Sequence, residues 1–240
     1  MPGTLTTPAG VPGRPAPLAR PSASAGAASL FRQTLAGLRV LLVLTVLLGV
    51  AYPLAVWGVG QLALPWQANG SLVRSDGTHA TSLADTGADG APVVGSALIG
   101  QDFAATDDAE RWFHGRPSAA GDGYDTLASA GTNLGPLNPE LVASIDERRA
   151  ALADLNGVDP ASLPADALTA SASGLDPQIS PAYAAVQVAR VAEARGLDEA
   201  VVADLVAQHT AGRDLGVLGE PRVNVLELNL ALENSEKMNP

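Results

Sequence analysis

VLLVLTVLLGVAYPLAVWGVGQLAL, Val40 to Leu64, is a run of 25 residues without a single charge. As a helix rising about 1.5 Å per residue it would reach about 37 Å, more than the roughly 30 Å of a bilayer's hydrocarbon core. A secretory signal has an apolar stretch of only about 7 to 15 residues, so this run reads as a permanent transmembrane anchor. Gly49, Pro53 and Gly58 would weaken a soluble helix, yet membranes tolerate them, and small residues let a neighbouring helix come close. The anchor is therefore expected to have a packing partner.

Charge orients the anchor. Residues 1–39 carry Arg14, Arg20, Arg32 and Arg39 and no acid, whereas beyond Leu64 stand 25 acids against 10 bases, a formal balance of −15. Basic flanks stay in the cytoplasm, which places the N-terminus inside a bacterial plasma membrane and about 175 residues outside it. The acidic excess argues against nucleic acid or anionic lipid as an electrostatic partner. The chain has no cysteine, so redox compartment gives no guidance.

The anchor divides the chain into three parts. Residues 1–28, rich in Pro, Gly, Ala and Ser, are expected to be a disordered cytoplasmic tail. Ser29 is the expected N-cap of an anchor helix over residues 29–64, and Trp66 its interfacial end. Residues 65–240 are expected to form one extracytoplasmic α+β domain, so the fold class is α+β behind a single transmembrane helix.

Within that domain, Ser71–Arg74 and Val93–Ile99 read as strands around a polar, mobile loop, DGTHATSLADTGADG. Asn138-Pro139 and Ser180-Pro181 read as helix starts, with stops near Asn156-Gly157 and at Gly196. The second helix is expected to bury Val186, Ala189, Val191 and Ala192. Asp198 caps a third helix, expected to end at Gly212, and RVNVLELNLALE should begin extended and turn helical. Two connections, Arg116–Asn138 and Thr169–Ser180, are long and rich in turn formers such as Pro, Gly, Asp and Ser. Those residues favour ordered shape over slack chain.

The chemistry that such loops could host is limited. His79, His114 and His209 are the only histidines, and no G-x-S-x-G elbow accompanies them. Clustered metal ligands are missing, and Lys237, the only lysine, rules out a P-loop. These residues point to no catalytic group, metal or cofactor of the chain's own. A membrane-anchored envelope hydrolase or ligand-binding protein, using His114 or His209 and the loops near Arg116 and Asn133, is the competing reading.

Five ordered motifs resemble those of the C subunit of Kdp-type potassium-transporting ATPases. They are LIGQDF (Leu98–Phe103), FHGRPSA (Phe113–Ala119), TNLGPLNPEL (Thr132–Leu141), SGLDPQISP (Ser173–Pro181) and GEPRVNVLELNLAL (Gly219–Leu232). The resemblance covers about Leu35 to Leu232. It implies a non-catalytic accessory subunit of a high-affinity potassium pump, partnered by a channel-like A subunit, a P-type ATPase B subunit and a small F subunit. It further implies help in assembly and a raised ATP affinity of the B subunit, with ATP acting at the complex. Gln178 stands where the family usually has histidine, Ala172 where it usually has glycine. An amide at 178 points to hydrogen bonding or shape. Candidate interface residues are Gly49, Pro53 and Gly58 on the anchor, and Arg116, Ser118, Asn133, Asn138, Asp176 and Gln178 in the loops.

Overall fold

The computed structural model describes residues 23–238, which divide into two units between Gly58 and Val59. The first unit is helical. Helix α1 spans Ala23–Val46, a π-helical turn covers Leu47–Ala51, and α2 spans Tyr52–Ala63 across the unit boundary. From Gly26 to Ala63, 38 residues are long and apolar enough to cross a membrane, and the span is not buried against the rest of the chain.

Proline explains the π-turn. Pro53 has no N–H to offer the carbonyl of Gly49, and its ring crowds that carbonyl, so the ladder widens just before it. The N–H of Tyr52 reaches back five residues to the Leu47 carbonyl instead. The helix also starts earlier than its composition indicates. Residues 23–28 are helical, and Ser29 lies inside α1, where its hydroxyl accepts from Gln33 Nε2 at 3.4 Å, so it is not the N-cap. Residues 1–22 of the expected tail lie outside the described residues.

The second unit opens with a single turn, α3 (Pro65–Ala68). Trp66 is held there by its neighbours: Nε1 donates to the Leu72 carbonyl at 2.8 Å, and the ring stacks on His79 with centroids 3.7 Å apart. Strands β1 (Leu72–Arg74), β2 (His79–Ala80) and β3 (Val93–Ser96) form an antiparallel sheet in the order β2-β1-β3. The segment between β1 and β3 is not the slack loop its polarity predicts. Buried Arg74 ties it down, pairing with Asp85 at 2.6 Å and donating to Thr78 Oγ1 at 2.8 Å and the His79 carbonyl at 2.6 Å.

Four longer helices follow the expected signals. Asn138 caps α4 (Pro139–Asn156), accepting from Glu140 N at 2.8 Å, and the one-turn α5 (Ala165–Leu168) comes next. Strand β4 (Gln178–Ile179) leads into α6 (Pro181–Arg195), capped by Ser180, and α7 (Glu199–Gln208) is capped by Asp198. α7 stops at Gln208, short of Gly212, because Thr210 and Ala211 leave it to form β5, which pairs with β6 (Arg222–Asn224). The chain then turns helical as α8 (Val225–Met238). The second sheet runs β4-β6-β5.

α6 is the centre of the body, packed against α4, α7 and β6. Its buried face is Tyr183, Ala184, Gln187, Val188, Arg190, Val191 and Ala192, whereas Ala189 is exposed and Val186 half-buried. Val191 and Ala192 are buried as expected, but the face is centred differently from the apolar stripe, and two polar side chains, Gln187 and Arg190, share it. Around them Phe113, Ile179, Val202, Val223, Leu228 and Leu232 complete one core.

Candidate functional site

The polar face of α6 exists to grip one extended piece of chain, Trp112 to Arg116. Asn229 on α8 accepts from Phe113 N at 2.9 Å and donates to Phe113 O at 3.0 Å. Gln187 on α6 does the same for His114, at 2.8 and 3.1 Å. Two side-chain amides thus take the place of a neighbouring β-strand and satisfy buried backbone that no sheet reaches.

Arg190 completes the grip. Its guanidinium donates to the Glu110 carbonyl at 2.6 Å and the Trp112 carbonyl at 3.0 Å, to Asn156 Oδ1 at 2.9 Å and to Gln187 Oε1 at 2.7 Å. His114 Nε2 lies 2.8 Å from the Ala109 carbonyl. That oxygen only accepts, so the ring carries its proton on Nε2. Burial, and then the Arg190 charge, lower the His114 pKa from 6.5 to about 4, which keeps it neutral. His114 is a structural histidine of the interior, its ring making one hydrogen bond. His209 likewise turns Nδ1 toward the Leu205 carbonyl, at 2.9 Å.

From Arg116 onward the two long connections lock onto each other. Ser118 Oγ donates to the Gly174 carbonyl at 2.6 Å and accepts from Ala120 N at 3.1 Å and Tyr124 N at 2.8 Å. Tyr124, in the left-handed region at φ 54°, donates its hydroxyl to the Arg116 carbonyl at 2.6 Å. Arg116 pairs with Asp176 at 3.3 Å and reaches the Thr169 and Ala170 carbonyls at 3.3 and 3.4 Å. Gly174 sits at φ +68°, and a Cβ there would stand 2.6 Å from the Ala130 carbonyl and 2.7 Å from the backbone of Ala120. Only glycine admits so close an approach with that backbone.

The edge of the second sheet ends in the same place. The N–H groups of Gln178 and Ser180, which face away from β6, are taken by Asp176 Oδ1 at 3.0 Å and Asp166 Oδ2 at 2.7 Å. Carboxylates thereby close β4 to another strand. Beyond this edge lies an open cleft of about 720 Å³, lined by Arg116, Asp176 and Gln178 on one side and by Asp214, Glu220 and Arg222 on the other.

Four of the candidate residues therefore gather: Arg116, Ser118, Asp176 and Gln178. Asn138 is a helix cap, and Asn133, at φ 53°, folds its amide back to the Gly131 carbonyl at 3.1 Å. On the first unit, a Cβ at Gly49 or Gly58 would meet nothing within 4 Å, so their small size serves no packing inside this chain. Ala172 is exposed, which accommodates its methyl group. Gln187, Arg190, Asn229 and Tyr124 were missed. Asn229 was visible as the polar intruder in an apolar helical stripe, and Gln187 and Arg190 sit likewise among the buried residues of α6.

These features define a class: a single-pass membrane protein whose folded body ties its long loops to each other. Residues 34–234 match the family described as K+-transporting ATPase, c chain. Curated relatives bear the name potassium-transporting ATPase KdpC subunit. The one from Kineococcus radiotolerans is 54% identical over 207 residues, 86% of this chain and 96% of the relative. That from Gemmatimonas aurantiaca is 53% identical over 208 residues, 85% and 95% of the two chains. That from Mycobacterium tuberculosis is 49% identical over 203 residues, 84% and 98%. The chain belongs to the KdpC family.

Proposed function

We propose that this chain is a non-catalytic accessory subunit of a potassium-transporting ATPase, anchored by its one apolar helix beside the A, B and F subunits. One observation carries the reading: the polar groups that would make a reactive site are committed to holding backbone. Ser118 Oγ already makes three hydrogen bonds, His114 is sealed and neutral, and Arg116 and Asp176 tie two loops together. A nucleophile needs a free lone pair beside a base, and neither histidine ring offers one to Ser118. Rigid loops suit a surface that another protein must recognise.

The arginines before the anchor and the acids after it support a cytoplasmic N-terminus and an extracytoplasmic body. With its body on that side, the chain assists assembly and raises the ATP affinity of the B subunit indirectly. It binds the nucleotide-competent conformation of the pump better than the other, and a tenfold difference in affinity, about 1.4 kcal/mol, shifts that equilibrium tenfold. No ATP contact with this chain is required. Affinity purification of the chain from native membranes in mild detergent tests the reading. The A, B and F subunits should accompany it, and the pump lacking it should need more ATP for half-maximal hydrolysis. A chain recovered alone would refute the proposal.

A further inference from the structure

One wall of the 720 Å³ cleft is a hairpin, Arg213 to Pro221, that turns its apolar residues outward. Leu215 is 91% exposed, Val217 73% and Leu218 58%. The hairpin is nevertheless ordered at its base. Backbone bonds join Asp214 and Leu218 at 2.8 and 2.9 Å, Arg222 pairs with Asp214 at 3.1 Å, and Arg213 pairs with Glu220 at 2.6 Å. Leu215 also adopts φ 53°, a backbone conformation that suits Gly or Asn and rarely a bulky residue. The position thus presents a large apolar group to solvent in a conformation that a small or polar residue would hold more easily.

The charges of the cleft say what would cover that tip. Asp166, Asp176, Asp214 and Glu220 face Arg116 and Arg222, four carboxylates against two guanidinium groups, with Arg213 reaching Glu220 from outside the lining. We infer that the hairpin tip and the cleft behind it seat an extended segment of a partner protein, one that lays apolar side chains on Leu215, Val217 and Leu218 and directs a cationic side chain into the cleft. The inference rests on the accessory-subunit reading and names the surface that reading leaves open. An anionic bilayer is disfavoured, because the residues beyond the anchor carry a balance of −15. A second copy of the chain would bring the same acidic surface and be repelled. Because β4 is closed by Asp166 and Asp176, the segment engages the cleft by side chains and not by adding a strand.

The test uses the tagged full-length chain expressed with the pump subunits. In one variant Leu215→Asn and Val217→Ser remove the apolar tip, and in a second Glu220→Lys reverses one charge. Asn tolerates the left-handed backbone, so the first variant should melt at the same temperature as wild type or higher, while its recovery of pump subunits falls at least tenfold. The charge variant should show the same loss and a weaker response to added salt. Recovery equal to wild type in both variants would overturn the inference alone, whereas a wild-type chain recovered without pump subunits would overturn the accessory reading and this inference together. A photoreactive residue placed at Val217 decides the occupant. Crosslinks to a basic and apolar segment of a pump subunit support the inference, and crosslinks to lipid or to a second copy refute it.

Discussion

At the scale of single residues, the body depends on polar side chains that replace missing secondary structure. Asn229 satisfies both backbone groups of Phe113, so Asn229→Leu would strand a buried donor and a buried acceptor. Each such group costs about 1–3 kcal/mol, and the variant should lose roughly 2–6 kcal/mol in denaturant unfolding of the detergent-purified chain. His114 supplies a pH signature. Its folded pKa, about 4, lies below its ordinary 6.5, so the unfolded chain binds the extra proton first as pH falls. Stability is therefore full above pH 6.5 and declines between about 6.5 and 4, by about 3 kcal/mol in total, from this group. His114→Gln, which can still donate to the Ala109 carbonyl, should flatten that decline when unfolding is measured from pH 7 to 4.5. An equally steep decline in the variant would assign the pH dependence to other groups. Asn229 stood out in the sequence only as a polar residue in an apolar stripe, and the grip itself was not legible, because Gln187, Arg190 and Asn229 act through backbone more than 70 positions away.

At the scale of elements, legibility followed signal length. Helices α4, α6, α7 and α8 carry caps or periodicity that the sequence displays, and their starts were read to the residue at Asn138, Ser180 and Asp198. Strands of two residues, β2, β4 and β5, have no period to detect, and the π-turn is set by what Pro53 lacks. The two long connections were recognisable as ordered, but their mutual docking was not, since it rests on Gly174 and Gly131 meeting backbone of the other loop. Gly174→Ala tests that docking. It should destabilise the chain by roughly 2–4 kcal/mol, combining a left-handed alanine with an overpacked contact. The anchor calls for the opposite readout. Gly49→Leu and Gly58→Leu meet open space within the chain, so melting should be unchanged while copurification with the pump subunits weakens. Undiminished recovery would show that neighbouring helices do not pack against these glycines.

At the scale of the whole molecule, the arrangement to be tested is the side of the membrane on which the acidic body resides. The proposed orientation, with the positive flank in the cytoplasm, has the body outside, and any influence on ATP must then be conformational. Trypsin makes the test specific, because the arginines of the body differ in access. Arg190 and Arg195 are buried, whereas the side chain of Arg213 is 46% exposed on the protruding hairpin, where nicking is easiest. Trypsin added to intact spheroplasts should first cut after Arg213, releasing the last 27 residues as a fragment unless α8 keeps them docked. Inverted vesicles should protect that bond and be cut before the anchor after Arg32, which is exposed, because Arg14 and Arg20 each precede a proline and trypsin does not cleave Arg–Pro bonds. The reverse pattern would place the body in the cytosol, where direct contact with nucleotide becomes available and the indirect account of ATP affinity loses its premise.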